Sequence, residues 1–250
     1  SESSRFWQRF RRNRPAMASA ILLALIVLAA LLAPAFEAML GVDEGQYETQ
    51  CEAVKKHPDR FFASYDCNPN HGMDEVRKIR RLKEEYDIKS VNAFPSGLCP
   101  QVSLSDKKWY PIFVTCIDLD IPFCPCVGVP GPRIPMEPQK VEHLDEICWF
   151  FPELKVVMKH GAEPWTDLAW KLMLKYENLY YMTSAFAPKH YPKDIINFAN
   201  TRGADKIMYA GYFPMGLSLE RIFGDMPNVP FKDEVWPKFL RENATRVFKV

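Results

Sequence analysis

The sequence has no surplus of charge of either sign. Its 32 basic and 31 acidic side chains leave a formal net charge of only +1 over 250 residues. A protein that binds nucleic acid over much of its surface needs an excess of positive charge, so this balance argues against such a surface. We therefore expect no nucleic-acid partner.

The cysteines form no C-x-x-C pair and no regular framework. There are seven, at positions 51, 67, 99, 116, 124, 126 and 148. An odd number leaves at least one unpaired in a monomer, and their spread among apolar runs favours buried thiols in a reducing compartment. Cys124 and Cys126 are two apart in a predicted strand and would face the same side, but two thiolates alone do not complete a zinc site.

Charged residues are absent from positions 16–36, which are almost entirely Ala, Leu, Ile and Val. About 20 apolar residues span the hydrocarbon core of a bilayer. Arginines precede this run and acidic residues follow it, so the positive-inside rule predicts a single-pass transmembrane helix with its N-terminus in the cytoplasm. An uncleaved signal peptide and a buried core helix are the alternatives, and without membrane insertion we expect a cytoplasmic protein. Residues 1–45 would form this basic, membrane-anchoring N-terminal domain.

Residues 46–250 contain short apolar runs that alternate with helix-length segments. Six strands are predicted, each followed by a helix, at residues 61–65, 90–94, 123–128, 155–159, 179–183 and 206–213. This pattern predicts an α/β fold, a TIM-barrel-like (β/α) domain that lacks the first two βα units and is preceded by one hydrophobic helix. Six strands cannot close as eight do, so we expect an oligomer or a partner to cover two open edges.

Six sequence blocks in this domain are similar to one family. They are H-P-D-R-F at 57–61, L-D-I-P at 119–122, F-P-E-L-K-V-V-M-K-H-G at 151–161, N-L-Y-Y-M-T-S-A at 178–185, A-D-K-I-M-Y-A-G-Y-F-P at 204–214 and N-A-T-R-V-F at 243–248. Together they resemble the amidohydrolase-related family of metal-dependent hydrolases and decarboxylases. The resemblance implies a distorted TIM barrel with a metal, usually zinc, at the C-terminal mouth, where it activates water or assists decarboxylation of an aromatic acid. Residues 5–43 separately resemble the N-terminus of peptide ABC transporter permease subunits.

The ligands that this resemblance implies are incomplete. The His-x-His pair of the first strand has no counterpart, Cys126 stands where the fifth-strand His is expected, and Tyr212 stands where the last-strand Asp is expected. The sixth-strand position is kept as His160. We therefore expect either no metal or one divalent metal such as zinc at a degenerate site, with His160 as a ligand only if a metal is retained.

Three residues at predicted strand ends are candidates for catalysis. His160 could carry protons because its reference pKa lies near 6.5, or it could be a loop histidine held by backbone hydrogen bonds. Glu163 could orient His160 or cap the helix that begins near Trp165. Tyr212 could donate a hydrogen bond to a developing oxyanion, or it could pack as a plain aromatic.

Three further residues are candidates for substrate binding. Arg133 lies in the proline-stiffened V-P-G-P-R-I-P loop, where it could clamp a substrate carboxylate or form a surface salt bridge. Cys126 could be a nucleophile or a buried thiol. Trp165, at the start of the following helix, is the third.

Two functions from different classes remain. The first is an amidohydrolase-like hydrolase or decarboxylase that acts on a small carboxylate-bearing or cyclic substrate at the barrel mouth. The second is a non-catalytic, membrane-attached barrel scaffold or a subunit of a larger membrane complex. A third reading joins a transporter-like N-terminus to an unrelated barrel fragment.

Overall fold

A computed structural model describes residues 51–213 and 215–250. The transmembrane helix predicted at residues 16–36 lies outside these residues and stays a prediction. Within the described ranges, no helix is both long enough and apolar enough to cross a membrane.

Six parallel strands form one sheet, and they are ordered in the sheet as they are in the sequence. Their bounds are β1 (Ser64–Asp66), β2 (Ser90–Ala93), β3 (Phe123–Pro125), β4 (Val156–Met158), β5 (Leu179–Met182) and β6 (Ile207–Met208). Parallel neighbours need crossover connections, and helices supply them. The predicted α/β fold of six βα units is confirmed.

The helices fall before, between and after the strands. Residues 51–56 are helical, and the longer helices are α1 (Met73–Tyr86), α2 (Tyr110–Asp118), α3 (His143–Phe150), α4 (Thr166–Lys175), α5 (Lys193–Ala199), α6 (Leu219–Asp225) and α7 (Asn243–Phe248). In α1, Val76, Ile79 and Leu82 are buried at the spacing of one helix face. This amphipathic pattern gives α1 one buried face.

The two faces of the sheet are covered differently. On the outer face, the Phe123 ring packs edge-on against Trp109 and Phe113 from the helical layer. On the opposite face, here called the inner face, Cys124, Val157 and Met208 form a buried cluster with Val247 and Phe248 of α7. Strand alternation therefore assigns every second residue to the inner face.

All six strands are shorter than the sequence predicts, and the first and the last show why. Pairing of β1 begins at Ser64 rather than at residue 61, and Phe61 and Phe62 remain exposed. The last strand ends at Met208 because the next amide, that of Tyr209, donates to the carbonyl oxygen of Phe239 (2.7 Å) instead of to a strand.

The C-terminal segment also covers part of the β6 edge. The side-chain amide of the buried Asn243 donates to the carbonyl oxygens of Ile207 and Ala204, both at 2.7 Å. The chain itself therefore supplies hydrogen-bond donors to backbone carbonyls at this edge. The oligomer or partner predicted to cover open edges gains no support.

Candidate functional site

Three side chains from the ends of β4, β5 and β6 meet at the C-terminal edge of the sheet. The Ser184 hydroxyl lies 3.1 Å from Nδ1 of His160, and the rings of His160 and Tyr212 are in edge-to-face contact with centroids 5.7 Å apart. We call His160, Ser184 and Tyr212 the rim cluster. Parallel strands place their carboxyl ends at one edge, so residues distant in sequence become neighbours here.

The backbone around His160 is held in an unusual shape. His160 has a positive φ of 64°, and its amide donates to Ser184 Oγ at 2.9 Å. The next residue, Gly161, has φ of 83°, and a Cβ there would come within 2.5 Å of the Phe186 ring. The Tyr181 hydroxyl donates to the Gly161 carbonyl at 3.0 Å. These contacts fix the direction in which the His160 ring points.

The electrostatic surroundings keep the His160 imidazole neutral. Burial lowers its pKa to about 4, and the positive charge of the adjacent Lys159 acts in the same direction. At neutral pH the ring can therefore accept a proton or a hydrogen bond, but it is not in the imidazolium form that acts as a general acid.

Glu163 lies in the loop that follows β4, and this loop touches the loop that follows β3. The amide of Val129 donates to the Glu163 carbonyl at 2.8 Å, and Gly128 has φ of 110°. A Cβ on Gly128 would lie 2.8 Å from the same carbonyl oxygen, so only glycine permits this approach. The helix α4 is capped at Trp165 without a side-chain hydrogen bond, so no contact supports the capping role considered for Glu163.

The candidate substrate-binding residues differ in their exposure to solvent. Arg133 is exposed in the loop after β3 and forms no ion pair with the residues the structure describes. Trp165 is partly buried next to the Glu163 loop. Cys126 is only 5% exposed, and burial raises the pKa of its thiol. A protonated, enclosed thiol is a poor nucleophile, which favours the buried-thiol reading.

The described residues do not fit the metal that the family resemblance implies. No group of three or more His, Cys, Asp or Glu side chains converges anywhere in residues 51–213 and 215–250. The whole sequence has five histidines, and none lies before position 57. One group that contacts the His160 ring is the Tyr212 phenol, which lacks the charge that holds a divalent ion.

Sequence reasoning left Lys159 and Asp66 out of the site. Both lie on the inner face, Asp66 at the end of β1 and Lys159 just after β4. The alternation of side chains along a strand could have identified both residues, because each stands at an inner-facing position beside the predicted catalytic edge of the sheet. A separate cavity of about 470 Å³ lies between α4 and α5, lined by residues such as Trp170 and Arg202, and it contains none of the candidate residues.

Comparison with known proteins decides the family. The sequence profile of the amidohydrolases (Amidohydro_2) matches residues 15–250. This chain belongs to the amidohydrolase family. The prediction of an enzyme family is thereby confirmed, and the matched range runs through the apolar segment 16–36. The resemblance of residues 5–43 to permease subunits gains no support from any comparison.

Solved structures agree on the fold of this amidohydrolase. An uncharacterised TIM-barrel protein from Bordetella bronchiseptica is 24% identical over 81% of this chain and 72% of its own, with a TM-score of 0.71. The 2,6-dihydroxybenzoate decarboxylase from Rhizobium is 17% identical over 84% and 77%, with a TM-score of 0.64. A dihydroxybenzoic acid decarboxylase from Polaromonas sp. JS666, solved with manganese and 2-nitroresorcinol, is 19% identical over 84% and 75%, also with a TM-score of 0.64. No curated protein matches the chain.

Proposed function

We propose that this amidohydrolase is a hydrolase or decarboxylase that cleaves a C–N or C–C bond of a small carboxylate-bearing or cyclic substrate at the rim cluster. The observation that carries the proposal is the meeting of His160, Ser184 and Tyr212 at the carboxyl edge of a parallel sheet. Enzymes of this architecture place their chemistry at that edge. Two proteins of similar fold are dihydroxybenzoate decarboxylases, and they suggest the first test substrate.

In this proposal His160 is the proton carrier. Its neutral ring can take a proton from an attacking water or from the substrate and later return it to the leaving atom. Ser184 orients the ring through Nδ1, and Tyr212 offers a neutral phenol as hydrogen-bond donor to a developing oxyanion. Glu163 and Trp165 lie in the loop after β4, which contacts the loop after β3 that carries Arg133. We propose that these three residues help to position the substrate.

The proposed chemistry uses these side chains without a metal. The incomplete donor set supports this choice over one divalent metal, zinc included. Elemental analysis of the purified full-length protein tests it, and a stoichiometric metal would contradict the metal-free proposal. The same incomplete set is what motivates the alternative of a non-catalytic, membrane-attached barrel scaffold or complex subunit.

Turnover by matched variants separates the two functions. We expect the full-length protein to release carbon dioxide from 2,6-dihydroxybenzoate, and we expect His160→Ala to lose this activity while its circular dichroism spectrum stays unchanged. His190→Ala is the control, because His190 is exposed in the turn before α5. Equal turnover in the His160→Ala variant and the unsubstituted protein would rule out the role of His160.

A further inference from the structure

Lys159 lies on the inner face of the sheet, directly before His160. Its backbone is extended, with φ of −96° and ψ of 155°, and it forms a parallel bridge with Cys126. Cys124 and Val157, two residues earlier on each strand, belong to the inner-face cluster. Because strand residues alternate between faces, the Lys159 side chain projects to the inner face at the level of Cys126.

The groups around the Lys159 ammonium carry little negative charge. Four side chains that can carry negative charge lie within electrostatic range of it: Asp66, Cys67, Cys124 and Cys126. The three thiols are buried and protonated at neutral pH. Asp66 is therefore the one carboxylate among them, and it is exposed to solvent and farther than ion-pair distance.

The ammonium of Lys159 has no direct partner among residues 51–213 and 215–250. It makes neither a hydrogen bond nor an ion pair there. Lys155, at the other end of the same strand, pairs with Asp120 at 2.6 Å. Burial alone would lower the pKa of Lys159, but the nearby Cys126 and Asp66 raise it, so the side chain stays charged at neutral pH. A charged lysine that is partly withdrawn from water and has no contact partner is uncommon.

We propose that the Lys159 ammonium is the carboxylate-binding cation of this amidohydrolase and holds the substrate carboxylate on the inner face of the sheet, next to His160. The inference rests on the proposed function, since it names the group that recognises the acid. An incoming carboxylate would supply the missing ion pair. It would also bring the reacting carbon to the carboxyl edge of the sheet, where His160 follows Lys159 in the chain.

Binding of benzoate tests the proposal, with neutral benzamide as the matched probe. Calorimetry on the full-length protein should show that benzoate binds more tightly than benzamide. Lys159→Met should weaken benzoate binding by about tenfold or more, the usual value of a hydrogen bond to a charged group, and leave benzamide unchanged. Lys155→Met, the same substitution at the opposite end of β4, should bind both probes as the unsubstituted protein does.

Two results would overturn the inference. One is a Lys159→Met protein that binds benzoate with unchanged affinity, and the other is an unsubstituted protein with no preference for benzoate over benzamide. If Lys159→Met does not fold, Asp66→Asn gives an independent test, because removing the competing carboxylate should tighten benzoate binding at least about twofold. Unchanged affinity in Asp66→Asn would then refute the placement.

The two proposals fail in different ways. The benzoate measurement reads binding without turnover, whereas the His160→Ala measurement reads turnover. A chain that binds benzoate through Lys159 but releases no carbon dioxide would contradict the proposed activity and support the cation site. If Lys159→Met kept its turnover with an unchanged KM, the proposed activity would be supported and the cation site would be contradicted.

Discussion

Replacing Ser184 by alanine should weaken both the fold and the rim cluster. Ser184 is only 6% exposed, and its hydroxyl makes two hydrogen bonds to one residue, from the His160 amide and with His160 Nδ1. A buried hydrogen bond contributes about 0.5 to 1.5 kcal/mol to stability, so the loss should be about 1 to 3 kcal/mol. For a chain of this size that corresponds to a fall in Tm of about 2 to 4 °C per kcal/mol.

The same substitution should change the protonated nitrogen of the His160 ring. The Ser184 oxygen accepts the His160 amide, so its own proton is free to bond Nδ1, and the ring proton then sits on Nε2. We expect the ¹⁵N spectrum of His160 to show this tautomer, and Ser184→Ala to mix it with the other one. Turnover should fall with kcat more than with KM, because orientation rather than affinity is lost.

Ser103→Ala is the control for this prediction. Its hydroxyl also makes one side-chain hydrogen bond, to the exposed carboxylate of Glu137 at 2.8 Å, and its removal should cost no more than about 0.5 kcal/mol. If Ser184→Ala matched Ser103→Ala in thermal unfolding and left the ¹⁵N shifts of His160 unchanged, the reasoning about the rim cluster would be wrong.

Two further predictions concern the loops and the pH dependence. Gly128→Ala should lower both Tm and activity, because the new Cβ would lie 2.8 Å from the Glu163 carbonyl oxygen and the backbone there has a positive φ. Gly131→Ala is the control and should change neither, because the space around Gly131 is open. NMR titration should give His160 a pKa of about 4, and a Lys159→Met variant should raise it. In the unfolded chain His160 takes up a proton near pH 6.5, whereas in the folded protein it does so only near pH 4. The free energy of unfolding should therefore fall as the pH drops from 6.5 to 4, and below pH 4 His160 should cause no further change. A His160 that titrates near 6.5 in the folded protein would contradict the described burial.

Local patterns predict much of this fold. The apolar runs at Val156–Met158 and Leu179–Met182 and the helical spacing of Val76, Ile79 and Leu82 identify strands and a helix without any tertiary information. The ends of strands are predicted less well. The aromatic run at 61–62 and the residues after Met208 look like strand, yet pairing begins or stops elsewhere, because hydrogen bonds to partners distant in sequence decide it.

The candidate site divides in the same way. The sequence by itself determined the βα order and the amidohydrolase family, because residue type and spacing carry that information. Only the tertiary structure decided that Ser184 bonds both the amide and the ring of His160, that Tyr212 touches this ring, and that Lys159 has no hydrogen bond or ion pair with the described residues while Lys155 has one. The physical reason is that these contacts depend on the register of neighbouring strands and on loop paths, and neither follows from a pattern within one strand.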